Sequence, residues 1–345
     1  MPDDRQQALA RRLRRQADWC GESGENLYAG LLRRSADDAE SGGLVWYLLK
    51  AHASEPAADA LPLRFLAGVN RLVLGGRVPE LAAAYAARDP EAAWPLFRIV
   101  LEEHREYLAE QVARPCQTNE VGRSAALLGG FLELAQAWQL PLRVLEVGAS
   151  AGLNLRWDHY RYEAGDAAWG DPDSPVCLGG AYAVPPPFAP AEVAIAERAG
   201  CDLRPIDPTT PEGELTLAAF VWPSNPRRLE LLRGAIEVAR AVPALVEEAG
   251  AAAWLEAKLA RPAPGVVTVV FHSVFVQYLH GSEQSRIGRA LAMAGRAAGI
   301  DAPLSWLRLE PGTGAFEVRL TTWPGGEERL LATCGPHGTG VRWLR

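Results

Sequence analysis

The sequence predicts an α/β protein: a doubly wound, Rossmann-like sheet over residues 141–345, preceded by a helical N-terminal domain over 1–140. Three observations predict it. The apolar run Arg143-Val-Leu-Glu-Val147 passes directly into the small-residue turn Gly148-Ala-Ser-Ala-Gly152. Strand-like and helix-like segments then alternate to about residue 300, the pattern that builds parallel sheets. No clear strand pattern appears before Arg143.

In the upstream region, Phe97, Val100, Leu101, His104 and Leu108 recur at three- and four-residue spacing, which predicts a helix over 90–112. Leu127, Leu128, Phe131, Leu132 and Ala135 form a second apolar stripe that ends near Pro141. Gly75-Gly76 and residues 54–62 are expected loops. After the glycine turn, 158–178 suggests a hairpin or long loop, within an insertion expected over about 157–207. Leu215 to Trp222 suggests a buried strand. Asn225 is placed to cap a helix that opens on Pro226. A short strand at 244–248, a helix at 252–260 and the β-branched strand Val266–Phe271 follow. A further helix carries Ile287, Ala290, Leu291 and Ala294. The end of the chain holds strand-like pieces at 305–309, 316–322 and 329–333, the last two joined by Pro324-Gly-Gly326.

Composition narrows the function classes. The 345 residues carry a net charge of −7, which argues against nucleic acid as the main partner, because phosphate binding needs a basic face. The five scattered cysteines form no Cys-x-x-Cys pair; they fit a reducing cytoplasm and supply no zinc-ligand spacing, so no metal is expected. No apolar run approaches a membrane span, and the arginine-rich start has no signal core, so a cytoplasmic protein acting on a small molecule is expected.

The turn after the first strand is the main candidate site. Gly148, Ala149, Ser150 and Gly152 let a ligand approach the backbone closely, at the strand end where parallel sheets bind their ligands. Glu146, just before the turn, suits an ammonium or sulfonium group and would repel a dinucleotide's phosphates. S-adenosylmethionine is therefore the expected cofactor, with Asn154 and the strand-end acid Glu248 as further contacts. His272 at the end of the most buried strand, with Tyr278, is the candidate catalytic pair. Ser273, Gln277, Trp222, Asn119 and Arg123 are the candidate substrate contacts. Gly148-Ala-Ser150-Ala-Gly152 also matches a hydrolase nucleophile elbow, so a Ser150 hydrolase with Asp207 or Asp301 and His272 or His337 is the alternative. A ligand-binding module without catalysis is the third class.

Several motifs together resemble a bacterial family, domain of unknown function 2332. They are Thr118-Asn-Glu120 with Arg123, Leu145 through Asn154, Trp157-Asp158 with Tyr160 and Tyr162, Val221-Trp-Pro223 with Arg228, His272-Ser273 with Gln277-Tyr278, and Pro336-His-Gly338 with Trp343. The resemblance implies a class I methyltransferase-type sheet with an added helical part. Against ordinary methyltransferases, Ser150 replaces a further glycine, the 157–207 insertion is long, and Trp222-Pro223 stands where a ribose-binding acid is expected. Asp202 and Asp207 are the candidate substitutes.

Overall fold

The structure, a computed structural model, describes residues 3–56 and 60–344. Residues 57–59 of the loop expected over 54–62 therefore lie outside the described residues. The chain divides into two compact units, one of residues 1–118 with 211–229 and one of 119–210 with 230–345.

The described residues of the first unit are helical: α1 (Asp4–Glu22), α2 (Asn26–Glu40), α3 (Leu44–Leu49), α4 (Leu61–Leu74), α5 (Pro79–Ala87), α6 (Pro90–Glu103) and α7 (Arg105–Val112). Local chemistry sets their ends. Asp3 and Gln6 form a capping box at the start of α1, and the Asp89 carboxylate accepts from the amides of Glu91 and Ala92 at the start of α6. The helix expected over 90–112 is two helices, because His104 leaves helical geometry at φ −111°. Leu13, Leu31, Phe65, Phe97 and Leu101 are among the residues of its core.

The second unit opens with α8 (Arg123–Trp138) and β1 (Leu142–Val147). Next come β2 (Arg161–Ala164), β3 (Ala167–Trp169), β4 (Cys177–Gly179), β5 (Tyr182–Val184) and β6 (Ile195–Asp202). The helix α9 (Pro211–Ala219) belongs to the first unit, and the division falls in the first turn of α10 (Pro226–Ala241). The second unit continues with β7 (Leu245–Glu248), α11 (Ala251–Lys258), β8 (Val267–Ser273), α12 (Gly281–Ala297), β9 (Leu304–Pro311), β10 (Phe316–Trp323), β11 (Glu327–Cys334) and β12 (Val341–Trp343). As its sequence suggests, Asn225 caps α10, accepting from the Arg228 amide at 3.1 Å.

Nine strands form one mixed sheet in the order β5-β12-β11-β10-β9-β8-β1-β6-β7. From β9 to β7 all neighbours are parallel. Counted in chain order from the β7 edge, these five run 3-2-1-4-5. The chain thus steps one way from β1 to β6 and β7, then the other way to β8 and β9. The reversal lies between β1 and β8, where such sheets open a crevice at their carboxyl ends. The β9–β11 meander is antiparallel. No helix among the described residues is long and apolar enough to cross a membrane.

The helix α8 falls in the sheet unit although the sequence places it with the helical region. Its packing explains this: a Cβ on Gly130 would stand 2.5 Å from Leu307 of β9, so the helix lies directly on the sheet. Phe131 carries the contact onward, meeting Phe271 edge-on at 5.2 Å and stacking on Trp157 at 4.3 Å.

Two strand assignments differ from expectation. Residues 215–219 are helical, not extended: Pro211 begins a turn rich in acids, and the Thr216 hydroxyl donates to the Glu212 carbonyl four residues back. The strand beside β1 is instead β6, which lies inside the expected insertion. Its pattern is obscured by Glu197 and Arg198, which pair with Arg143 and Asp158. Gly200 is a steric need, since a Cβ there would meet the Ala149 Cβ at 2.7 Å.

Candidate functional site

The carboxyl ends of β1, β6 and β8 bring together Glu146, Gly148, Ala149, Ser150, Gly152, Asn154, Asn119, Arg123 and Ser273. The turn after β1 takes left-handed backbone at Gly148, Ser150 and Gly152, with φ of 68°, 54° and 66°. That geometry folds the chain back onto β6. The Ala149 amide donates to the Cys201 carbonyl at 3.0 Å, and the Ser150 amide donates to the Asp202 carboxylate at 2.9 Å. Asn119 closes the other side: its side-chain carbonyl accepts from the amides of Ala151 and Leu153 at 3.2 and 3.0 Å. With the Gly152 amide donating to the Ala149 carbonyl, five consecutive amides have acceptors.

Asn119 is therefore a brace of the turn. Asn154 is another, accepting from the Ser124 hydroxyl at 2.7 Å and donating to the Glu120 carbonyl at 3.3 Å. Arg123, buried, donates to the carbonyls of Pro336 and Ser273. The Pro336-His337-Gly338 turn packs on the same segment: the Gly338 Cα leaves no room for a Cβ, which would fall 2.2 Å from the Gly122 carbonyl oxygen. His337 lies 3.1 Å from Glu120.

Glu146 is 2 % exposed, and its Oε2 has no hydrogen-bond partner. Burial pushes its pKa well above the usual carboxylate range, against the opposing pull of the Arg156 guanidinium. Asp202, which ends β6, accepts the Ser150 amide on one oxygen and the Arg204 amide on the other. Glu248 is exposed at the end of β7, in register with Asp202. Beneath the turn, burial pushes the Cys201 thiol up to about 12.

His272, the expected proton acceptor, lies near the end of β8 in the core. It is 1 % exposed and both ring nitrogens are engaged. The Trp306 indole N–H donates to Nε2 at 3.0 Å, so Nε2 is unprotonated and the Nδ1–H donates to Glu310 at 2.7 Å. The same Glu310 oxygen accepts the amides of Phe275 and Val276, at 2.9 and 3.2 Å. Glu310 thus clamps the turn after β8, in which Val274 takes φ 53°. Gln277 and Tyr278 follow on a short 3-10 turn and are exposed, Tyr278 at 40 %. They do not join the buried cluster.

Trp222, an expected ligand contact, lies in the first unit. It is 9 % exposed within the hydrophobic core of the first unit and meets Trp19 edge-on at 5.1 Å. Glu25 fixes the next residues by accepting the Ser224 amide and hydroxyl.

Three participants have roles that the sequence alone does not assign. Asp202 was a candidate only by default, and Glu310 lay one residue beyond the expected strand 305–309. Phe275 is the third: a Cβ on Gly148 would stand 2.2 Å from its ring, so the ring covers the turn where a ligand would approach. The alternating apolar pattern of β9, continued two residues further, was the one available signal for Glu310.

The chain belongs to a bacterial family described as "Uncharacterized protein conserved in bacteria (DUF2332)", which matches residues 10–343. No curated protein and no protein of solved structure matches the chain.

Proposed function

We propose that this protein is an S-adenosylmethionine-binding enzyme of class I methyltransferase type, with a Rossmann-like sheet, acting on a small molecule. The observation that carries the reading is the 3-2-1-4-5 strand order with a carboxylate ending the strand next to the glycine turn. An adenosyl ligand has a ribose diol that donates two hydrogen bonds, and a carboxylate at the second strand end is the matching acceptor. Asp202 stands there, with Glu248 beside it on the third strand. Trp222-Pro223 no longer occupies that position, so the departure inferred from sequence does not weigh against the reading.

Glu146 and the turn Gly148–Gly152 would hold the methionine end. The buried, unpartnered Glu146 Oε2 fits a ligand that brings its own cation. The Phe275 ring stands against Gly148, so a ligand that reaches the turn displaces it. When bound, the cofactor supplies an activated methyl group. The protein's own part is alignment of the acceptor and exclusion of water, since His272 has no free nitrogen to take a proton. The overall negative charge favours a small acceptor over nucleic acid. A Ser150 hydrolase has less support: His272 is engaged, His337 lies against Glu120, and no strand among the described residues precedes β1 to supply an oxyanion loop.

Calorimetry with S-adenosylhomocysteine tests the proposal. Saturable binding is expected, and Asp202→Ala should abolish it. No heat at millimolar ligand overturns the reading.

A further inference from the structure

At the opposite end of the strands, by the amino ends of β1, β8 and β9, a groove of about 480 Å³ opens along α11 and α12. That volume is in the range of small-molecule sites. Its wall is largely apolar: Leu259, Pro262, Ala290, Met293, Ala297 and Leu304 contribute, and Met293 is 65 % exposed. Its charge contrasts with the chain's net −7, since four arginines and one glutamate line it.

Two of these arginines are committed. Arg143 pairs with Glu197 at 2.6 Å, and Arg286 makes a bidentate contact with Glu256 at 2.7 and 2.6 Å. Arg261 and Arg289 are exposed and make no hydrogen bond or ion pair among the described residues. A second hollow, of about 510 Å³, shares Arg143 and Arg261 with the first.

We propose that this groove binds a small amphipathic anion. The carboxylate or phosphate head would lie on Arg261 and Arg289, and the hydrocarbon part against Met293, Pro262 and Leu259. The two halves of the argument need each other. A purely apolar ligand would leave Arg261 and Arg289 to solvent, Arg289 also in the weak field of Glu256, and a simple inorganic anion would leave the apolar wall wet. A recess of this size encloses one chain, whereas a lipid surface needs a protruding apolar face. The site is separate from the glycine turn and does not depend on the adenosyl reading.

Calorimetry of the full chain with dodecanoate, kept below its micelle-forming concentration, tests the site. Saturable binding of one equivalent is expected. The double substitution Arg261→Gln with Arg289→Gln should weaken it at least about tenfold, the effect of losing charge-assisted hydrogen bonds. Ala297→Trp, which fills the exposed wall, should weaken it comparably while thermal melting remains wild-type. The proposal is overturned if wild type does not saturate, or if both variants bind as wild type does. It is also overturned if inorganic phosphate binds as tightly as dodecanoate, or if vesicles of anionic phospholipid are bound while dodecanoate is not.

Discussion

At the carboxyl ends of β1, β6 and β8 many polar groups satisfy one another, Glu146 Oε2 and Glu310 Oε2 excepted, whereas at the amino ends of β1, β8 and β9 Arg261 and Arg289 face an open groove with no hydrogen bond or ion pair among the described residues. The first region is tightly closed: Asp202, Asn119 and Glu310 each take two or more backbone amides or a ring nitrogen. The second is loosely built from small side chains and exposed cations. The difference separates two kinds of readiness. The closed end has to give up internal hydrogen bonds or move Phe275 before it can take a ligand, and the open end does not.

The largest effect should come from Glu310→Ala. It leaves the amides of Phe275 and Val276 and the Nδ1–H of His272 without their acceptor, and should cost roughly 3 kcal/mol in denaturant unfolding. The matched change at the open end, Arg261→Gln, should stay within about 0.5 kcal/mol. Equal losses would erase the contrast.

Glu146→Gln should have the next largest effect, and its sign depends on pH. The folded protein holds this carboxyl protonated above its ordinary range, so it binds more protons than the unfolded chain there. Its contribution is fully present below the usual carboxylate value and is lost as pH rises through the raised folded value. Relative to wild type, the glutamine variant should therefore gain stability between acidic and mildly alkaline conditions. Unfolding curves at two pH values check this, and a constant difference would show that Glu146 does not titrate upward.

The smallest effect should come from Phe275→Ala. If the ring competes with ligand for the space above Gly148, removing it tightens S-adenosylhomocysteine binding about threefold to tenfold, because more of the protein is then competent to bind. Weaker binding would instead make Phe275 part of the ligand's own wall.

Much of the sheet was legible in the sequence. β1, β8 and the β9–β11 meander announce themselves by β-branched or alternating apolar runs, and the β1 turn by its small residues. β6 was hidden because Glu197 and Arg198 are charged, paired with Arg143 of β1 and with Asp158 of the 3-10 turn after the glycine loop, while Gly200 answers a contact with Ala149 that only the folded sheet creates. The run from Leu215 to Val221 is apolar enough for either helix or strand, and the decision came from Pro211 and the core that takes Trp222. His272 was correctly placed at a strand end, but its role depended on Trp306 and Glu310, thirty-four and thirty-eight residues away. Hydrogen-bond partners at such distances have no local signal.

Cys201 lies under the glycine turn, 1 % exposed, with its thiol held in the neutral, unreactive form. Its backbone carbonyl anchors the Ala149 amide, and its side chain belongs to the core that also holds Val147, Ala252 and Trp254, so a reagent reaches the sulfur only when that packing opens. The protein therefore carries its own clock for the motion. The rate at which a thiol reagent modifies Cys201 counts the openings of that core.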